Sequence, residues 1–207
     1  MLLDREGVRR LLDSVADVWS ANTTQLNEID SKYGDGDHGV TIGKIANLIK
    51  RSTAAWDEES IRVFLTQLSG GVMAIGGGSA GPLYGMVFDG FAAGVPADAV
   101  TIDAATVQAM LSGARAALQS ISKAQIGDKT MMDALLPAVA AAEEVEGDIG
   151  DILQAANKAA AAGVEATRDM VAKFGRARSY GVQTLGTADV GALSVAMLFE
   201  GLATGIE

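Results

Sequence analysis

Apolar residues at Val8, Leu11, Leu12, Val15, Val18 and Trp19 recur every three or four positions, the repeat of one face of an α-helix. With Asp4 ahead of them as an N-cap, they predict a long first helix running toward Asn27. The spacing returns at Ile42, Ile45, Leu48 and Ile49 and predicts a second helix that opens between His38 and Val40 and ends near Ala55. Asp57-Glu58-Glu59-Ser60 reads as the cap and acidic first turn of a third helix through Val63, Leu65 and Leu68, ending in the glycines beyond Ser69. A fourth runs through Leu83, Tyr84, Met86 and Phe88. Residues 101–122, 128–145, 149–174 and 191–202 complete the set, with Pro137 expected to kink its helix. No stretch alternates convincingly with period two. The pattern therefore predicts an all-α chain, a single-domain antiparallel barrel or bundle of about eight helices spanning residues 1–207.

Composition sharpens that picture. The 207 residues are 49% hydrophobic but only 5% aromatic, so the predicted core packs helices closely on small side chains. A net charge of −10 with 16 Lys and Arg excludes the basic stripe that a nucleic-acid partner requires. The absence of Cys excludes disulfides and thiolate zinc sites. Acids follow Met1-Leu2-Leu3 where a signal peptide would be basic and then apolar, and no apolar run approaches ~18 residues. The expectation is a cytoplasmic protein with no membrane partner.

Candidate chemistry concentrates in residues 30–39, where Asp30, Asp35, Asp37 and the only histidine, His38, crowd together with three glycines. Three hard oxygen donors on a flexible loop suit Mg²⁺, which takes its remaining ligands from water and substrate phosphates. Ordinary turns also favour Asp and Gly, but an EF-hand is excluded because Lys32 falls where a ligand is needed. Residues 76–82 formally match a dinucleotide fingerprint, yet they lack the preceding strand that motif demands. What survives is a glycine loop opening a helix, able to wrap phosphate with backbone N–H groups or to serve close helix packing. Gly127 to Asp133 again sets polar groups at a helix start, with Asp128 or Thr130 as its cap. Residues 175–192 form a last loop in which Arg176 and Arg178 stand out in an acidic chain as phosphate clamps. Alternate loops of an antiparallel bundle lie at one end, where the four would converge.

Gly34-Asp35-Gly36-Asp37-His38-Gly39, Gly77 to Gly85, Gly127-Asp128-Lys129-Thr130-Met131-Met132-Asp133, and Gly175-Arg176-Ala177 with Asp189-Val190-Gly191-Ala192 resemble, in order and spacing, the nucleotide-binding L subunit of dihydroxyacetone kinase. The resemblance implies an eight-helix antiparallel barrel that holds ADP or ATP at one end. It implies that Asp30, Asp35 and Asp37 are catalytic as ligands of two Mg²⁺ ions. His38, Thr41, Gly78, Ser79 and Ala80 would touch the nucleotide, Thr130 and Met131 would lie by base and sugar, and Arg176, Asp189 and Gly191 would complete the pocket. A separate K subunit would hold the short-chain ketose covalently on its own histidine.

Two departures from the family pattern fall in the last loop, where Arg178 is inserted before Ser179-Tyr180 and Val190 replaces a proline. Thr41 stands where some relatives carry asparagine, and His38 favours the ketose branch over the fatty-acid kinases. The donor stays open between exchangeable ATP and a tightly held ADP rephosphorylated by a phosphotransferase-system carrier protein, with the loop departures favouring ATP and a sugar other than dihydroxyacetone. A non-enzymatic nucleotide sensor that binds a transcription regulator is the rival reading, and a homodimer is left open.

Overall fold

The computed structural model describes residues 1–57 and 60–206. The helices are α1 (Arg5–Ala21), α2 (Thr23–Asp30), α3 (His38–Ala54), α4 (Ile61–Met73), α5 (Ala80–Gly94), α6 (Ala104–Ile121), α7 (Met132–Glu143), α8 (Ile149–Ala166) and α9 (Val190–Gly205). Packing runs α1, α3, α4, α5, α6, α7, α8, α9 and back to α1, so eight helices close into a ring and the short α2 sits beside α3 and α9. Closure removes any unpartnered helix edge, and the all-α expectation holds. One buried cluster runs from Leu3 to Ala203 through the inner faces of all of them. No helix among the described residues is long and apolar enough to cross a membrane.

Small residues set how closely the helices approach. A Cβ at Gly90 of α5 would collide with the α6 backbone at Gly113 and Ala114, and Gly113 is met in turn by the carbonyl of Gly90. Such contacts explain how a core with few aromatics is filled: backbones approach where side chains are missing.

Several helix limits differ from the sequence reading, each for a local reason. The first helix breaks at Asn22, whose side-chain amide donates to the Val18 carbonyl at 2.7 Å and competes with the helical ladder. The third passes through Gly70-Gly71 to Met73 because Val72 beyond them is fully buried. Its cap is Ser60, which accepts from Val63 N, while the expected acidic turn at Glu58 and Glu59 lies outside the described residues. α6 starts at Ala104 with Asp103 as cap, and the preceding Thr101–Ile102 instead pairs antiparallel with Leu3–Asp4. Two residues per strand are too few to leave a period-two signal. α7 starts at Met132, four residues later than expected, and keeps Pro137 inside it. α8 ends at Ala166, well before Phe174, in a 3₁₀ turn over Thr167–Asp169.

Candidate functional site

Helix capping divides the two ends of the barrel. At one end, α1, α6 and α8 are closed by Asp4, Asp103 and Asp148, each accepting from a first-turn amide. At the other, α9 is capped by Asp189, the first turn of α3 gives amides to Asp30 (from His38 N) and Asn27 (from Val40 N), that of α7 gives Met132 N to Thr130, and α5 alone begins, at Ser79, without a side-chain acceptor among the described residues. All four helices bring the positive end of the dipole to this end of the barrel, and the first turn of α5 also leaves its amides for another partner. These N-termini surround a cleft of about 360 Å³. All residues expected at the site line it: Asp30, Asp35, Asp37, His38, Thr41, Gly78, Ser79, Ala80, Thr130, Met131, Arg176, Asp189 and Gly191.

The aspartate loop is folded around Asp30. Its Oδ2 accepts from the backbone N–H of Gly36 at 2.9 Å, Asp37 at 3.1 Å and His38 at 3.3 Å, holding the loop against the start of α3. Gly34 is needed for close approach, since a Cβ there would strike the other Asp30 oxygen. One carboxylate oxygen from each of Asp30, Asp35 and Asp37 lies within 4.8 Å of the others. Desolvation and the charges of Asp35 and Asp30 push the Asp37 carboxyl above its ordinary range. At Asp35 desolvation also pulls upward, but the Arg176 guanidinium paired with it holds the carboxyl below that range. Three hard oxygen donors that repel one another fit a hard divalent cation such as Mg²⁺.

The glycine loop leans on α3. The Thr41 hydroxyl is buried and donates to the Gly77 carbonyl at 3.2 Å, while Gly77 adopts φ +128, a conformation closed to side chains, where a Cβ would lie 2.6 Å from that hydroxyl. Thr41 therefore shapes the loop as well as lining the cleft.

The third loop is organised by residues to which the sequence reading gave no role. Asp133 accepts from Gly127 N at 2.6 Å and Thr130 N at 2.7 Å, while the Thr130 hydroxyl caps α7 as expected by accepting from Met132 N at 3.2 Å and Asp128 accepts from Gln125 N instead. Lys129, in the left-handed region at φ +59 and only 4% exposed, donates to the carbonyls of Thr167 and Thr187, both at 2.6 Å. This ammonium draws Thr167 O out of any continuation of α8 and ties the third loop to both ends of the α8–α9 connection. Desolvation lowers the Lys129 pKa against the opposing pull of Asp189. Asp189 is pushed up to about 7, chiefly by desolvation and then by the nearby Asp133 charge, although the Ala192 amide it caps opposes the shift.

The last loop folds over the first: Arg176 pairs with Asp35, the Tyr33 hydroxyl donates to Gln183 O at 2.5 Å, and the Tyr33 and Tyr180 rings meet edge to face at 5.2 Å. Arg178 is exposed. Val190 is the first residue of α9, where a proline is favoured for its fixed φ and its absence breaks nothing. Behind the cleft, burial lowers the His38 pKa against the attraction of Asp30, and His38 Nε2 lies 2.9 Å from the Ser194 hydroxyl. Ser194 is a lone polar residue within Ala192-Leu193-Ser194-Val195-Ala196, the signal that could have marked it in the sequence.

Known proteins give this site its context. The DAK2 domain profile matches residues 32–204. The ADP-binding subunit DhaL of PEP-dependent dihydroxyacetone kinase 1 from Listeria innocua is 31% identical over 203 residues, covering 98% of this chain and 97% of that protein. The L-erythrulose kinase of Pectobacterium atrosepticum is 30% identical over 93% of this chain, which spans only 33% of that kinase. The crystal structure of the dihydroxyacetone kinase from C. freundii in complex with AMP-PNP and Mg²⁺ superposes with a TM-score of 0.70 at 27% identity, covering 95% of this chain and 33% of that one. Since the profile takes in most of the chain, including three of the loops that line the cleft and the first from residue 32 onward, the chain belongs to the DAK2 domain family.

Proposed function

We propose that residues 1–207 act as one nucleotide-binding domain, the phosphoryl-donor subunit of a dihydroxyacetone-type kinase, passing phosphate from a Mg–nucleotide to a short-chain ketose held on a separate chain. The observation that carries this reading is the convergence on one cleft of a carboxylate triad, the uncapped N-terminus of α5 and the N-terminal ends of α3 and α7. The full-length likeness to a subunit named as ADP-binding, and the likeness to a kinase solved with AMP-PNP and Mg²⁺, support the nucleotide and the metal. The cytoplasm is the proposed setting.

In-line phosphoryl transfer asks a protein mainly for position and charge balance. Asp30, Asp35 and Asp37 would hold two Mg²⁺ ions, which when bound neutralise phosphate charge and orient the reacting oxygens. The amides of Gly78, Ser79 and Ala80 offer donors to the phosphate chain, and the positive end of the α3 dipole adds to them. Arg176, now paired with Asp35, is placed to exchange that carboxylate for a phosphate oxygen once cations occupy the triad. Met131, Leu118, Ala124 and Phe174 form the apolar side of the cleft that suits a base. A ketose-binding chain must present its substrate at the open mouth.

A second reading of the donor, ADP held tightly and recharged by a phosphotransferase-system carrier, is favoured by the full-length match to a PEP-dependent relative. Purified chain, a ketose-binding K subunit, dihydroxyacetone or erythrulose, and Mg-ATP decide between them. Turnover with ATP alone establishes the exchangeable donor; turnover only after phosphoenolpyruvate and phosphotransferase proteins are added establishes the carrier form. Failure of both, with ketose bound to its subunit, overturns the proposal.

A further inference from the structure

Four helices of the barrel meet at one serine behind the cleft. Ser194 of α9 is fully buried; its carbonyl accepts from Trp19 Nε1 of α1 at 2.9 Å. Its hydroxyl lies 2.7 Å from the Tyr84 hydroxyl of α5, 2.9 Å from His38 Nε2 of α3 and 3.1 Å from the Gly191 carbonyl. A serine hydroxyl has one proton to give and two lone pairs to offer. Tyr84 is 2% exposed, packs edge-on against Trp19 at 5.0 Å, and has Ser194 as its hydrogen-bond partner among the described residues. Its proton therefore goes to Ser194, since a buried hydroxyl hydrogen without an acceptor is costly. The Gly191 carbonyl can only accept, so a serine proton given to it leaves one lone pair for His38, which Nε2 fills by carrying a hydrogen; a serine proton given to Nε2 would place the ring hydrogen on Nδ1 instead. The other ring nitrogen, Nδ1, has no hydrogen-bond partner among the described residues.

We propose that Ser194 is a positioning residue that holds His38 as its Nε2–H tautomer, so that the bare Nδ1 accepts a hydrogen bond from a hydroxyl or water of the bound nucleotide complex. A nitrogen lone pair repels an anionic phosphate oxygen and welcomes a donor. His38 is thereby assigned to the sugar or to ordered water rather than to the phosphate chain. The ligand half rests on the nucleotide reading above; the tautomer is a property of the free protein.

Because His38 is the only histidine, its ring nitrogens need no assignment among competitors. Two-bond proton–nitrogen correlation on the full-length ¹⁵N-labelled chain at neutral pH reads the tautomer directly. The expected spectrum has a protonated Nε2 and a bare Nδ1. Tyr84→Phe keeps that pattern, since Ser194 still gives its proton to Gly191 and a lone pair to Nε2. Ser194→Ala loses it, and the two nitrogens move toward averaged positions. A wild-type ring protonated at Nδ1, alone or together with Nε2, overturns the proposal even if Ser194→Ala does not fold. On adding Mg-ADP, Nδ1 shifts as an accepting nitrogen does and Nε2 keeps its proton. Calorimetric binding with an unmoved Nδ1 overturns the ligand half alone. No binding overturns the nucleotide reading and the ligand half with it, while the tautomer is judged by the free protein.

Discussion

Asp30 combines two roles that a turn-forming aspartate keeps apart. One oxygen gathers three backbone amides, and the carboxylate still faces two others within 4.8 Å. The cluster was legible because Asp30, Asp35 and Asp37 are close in sequence and no local fold can separate them far. Lys129 and Ser194 were not legible, because their partners lie at sequence distances of 38, 58 and 156 residues. Asp189 carries a prediction at this scale. Its carboxyl titrates near 7 in the folded protein and near 3.8 as an ordinary group, so the folded state holds the proton more tightly. By linkage its contribution to stability is full below about pH 4 and declines as pH rises to 7. Asp189→Asn keeps a capping side chain on Ala192 N and does not titrate. Urea unfolding of both proteins from pH 5 to 8 should show the stability of wild type relative to Asp189→Asn falling with pH; a flat or rising difference refutes the assignment.

Helix existence followed from apolar periodicity, since every barrel helix buries one face against the core. Helix ends did not, because they depend on what accepts the terminal hydrogen bonds. Thr167 O is diverted to Lys129, and Asn22 turns its amide back on Val18. Two substitutions separate the contributions to an element. Asp148→Ala removes the side-chain acceptor of the α8 capping box, leaving Asp151 to accept from the backbone N–H of residue 148, and should cost about 1 kcal/mol in denaturant unfolding. Gly90→Ala places a methyl group against the α6 backbone and should cost about 2 kcal/mol or more, because backbone cannot step aside as a side-chain tip can. A Gly90→Ala protein as stable as wild type would mean that α5 and α6 are not in close contact in solution.

For the whole molecule, antiparallel alternation brings the starts of α3, α5, α7 and α9 to one end, and ring closure of α1 on α9 fixes the cleft they surround. Ligand binding there should therefore stabilise the entire barrel. Mg-ADP at one hundred times its dissociation constant adds about 2.7 kcal/mol by mass action. For a chain of this size that raises the melting temperature by roughly 5–10 °C. ADP with a chelator should give much less, and Asp35→Asn should lose the magnesium-dependent part. An equal shift with and without magnesium would dissociate the aspartate triad from nucleotide binding.

The chain on its own determined the helical class, the four polar loops and the acidic centre of the site, because periodicity and clustered charge are local properties. Tertiary structure decided how those loops are held: Lys129 between the third loop and the α8–α9 connection, Arg176 on Asp35, and the Tyr84, Ser194 and His38 relay across three helices. Lys129, Tyr84 and Ser194 are buried polar groups satisfied by partners distant in sequence, and burial gives that pairing its energetic weight.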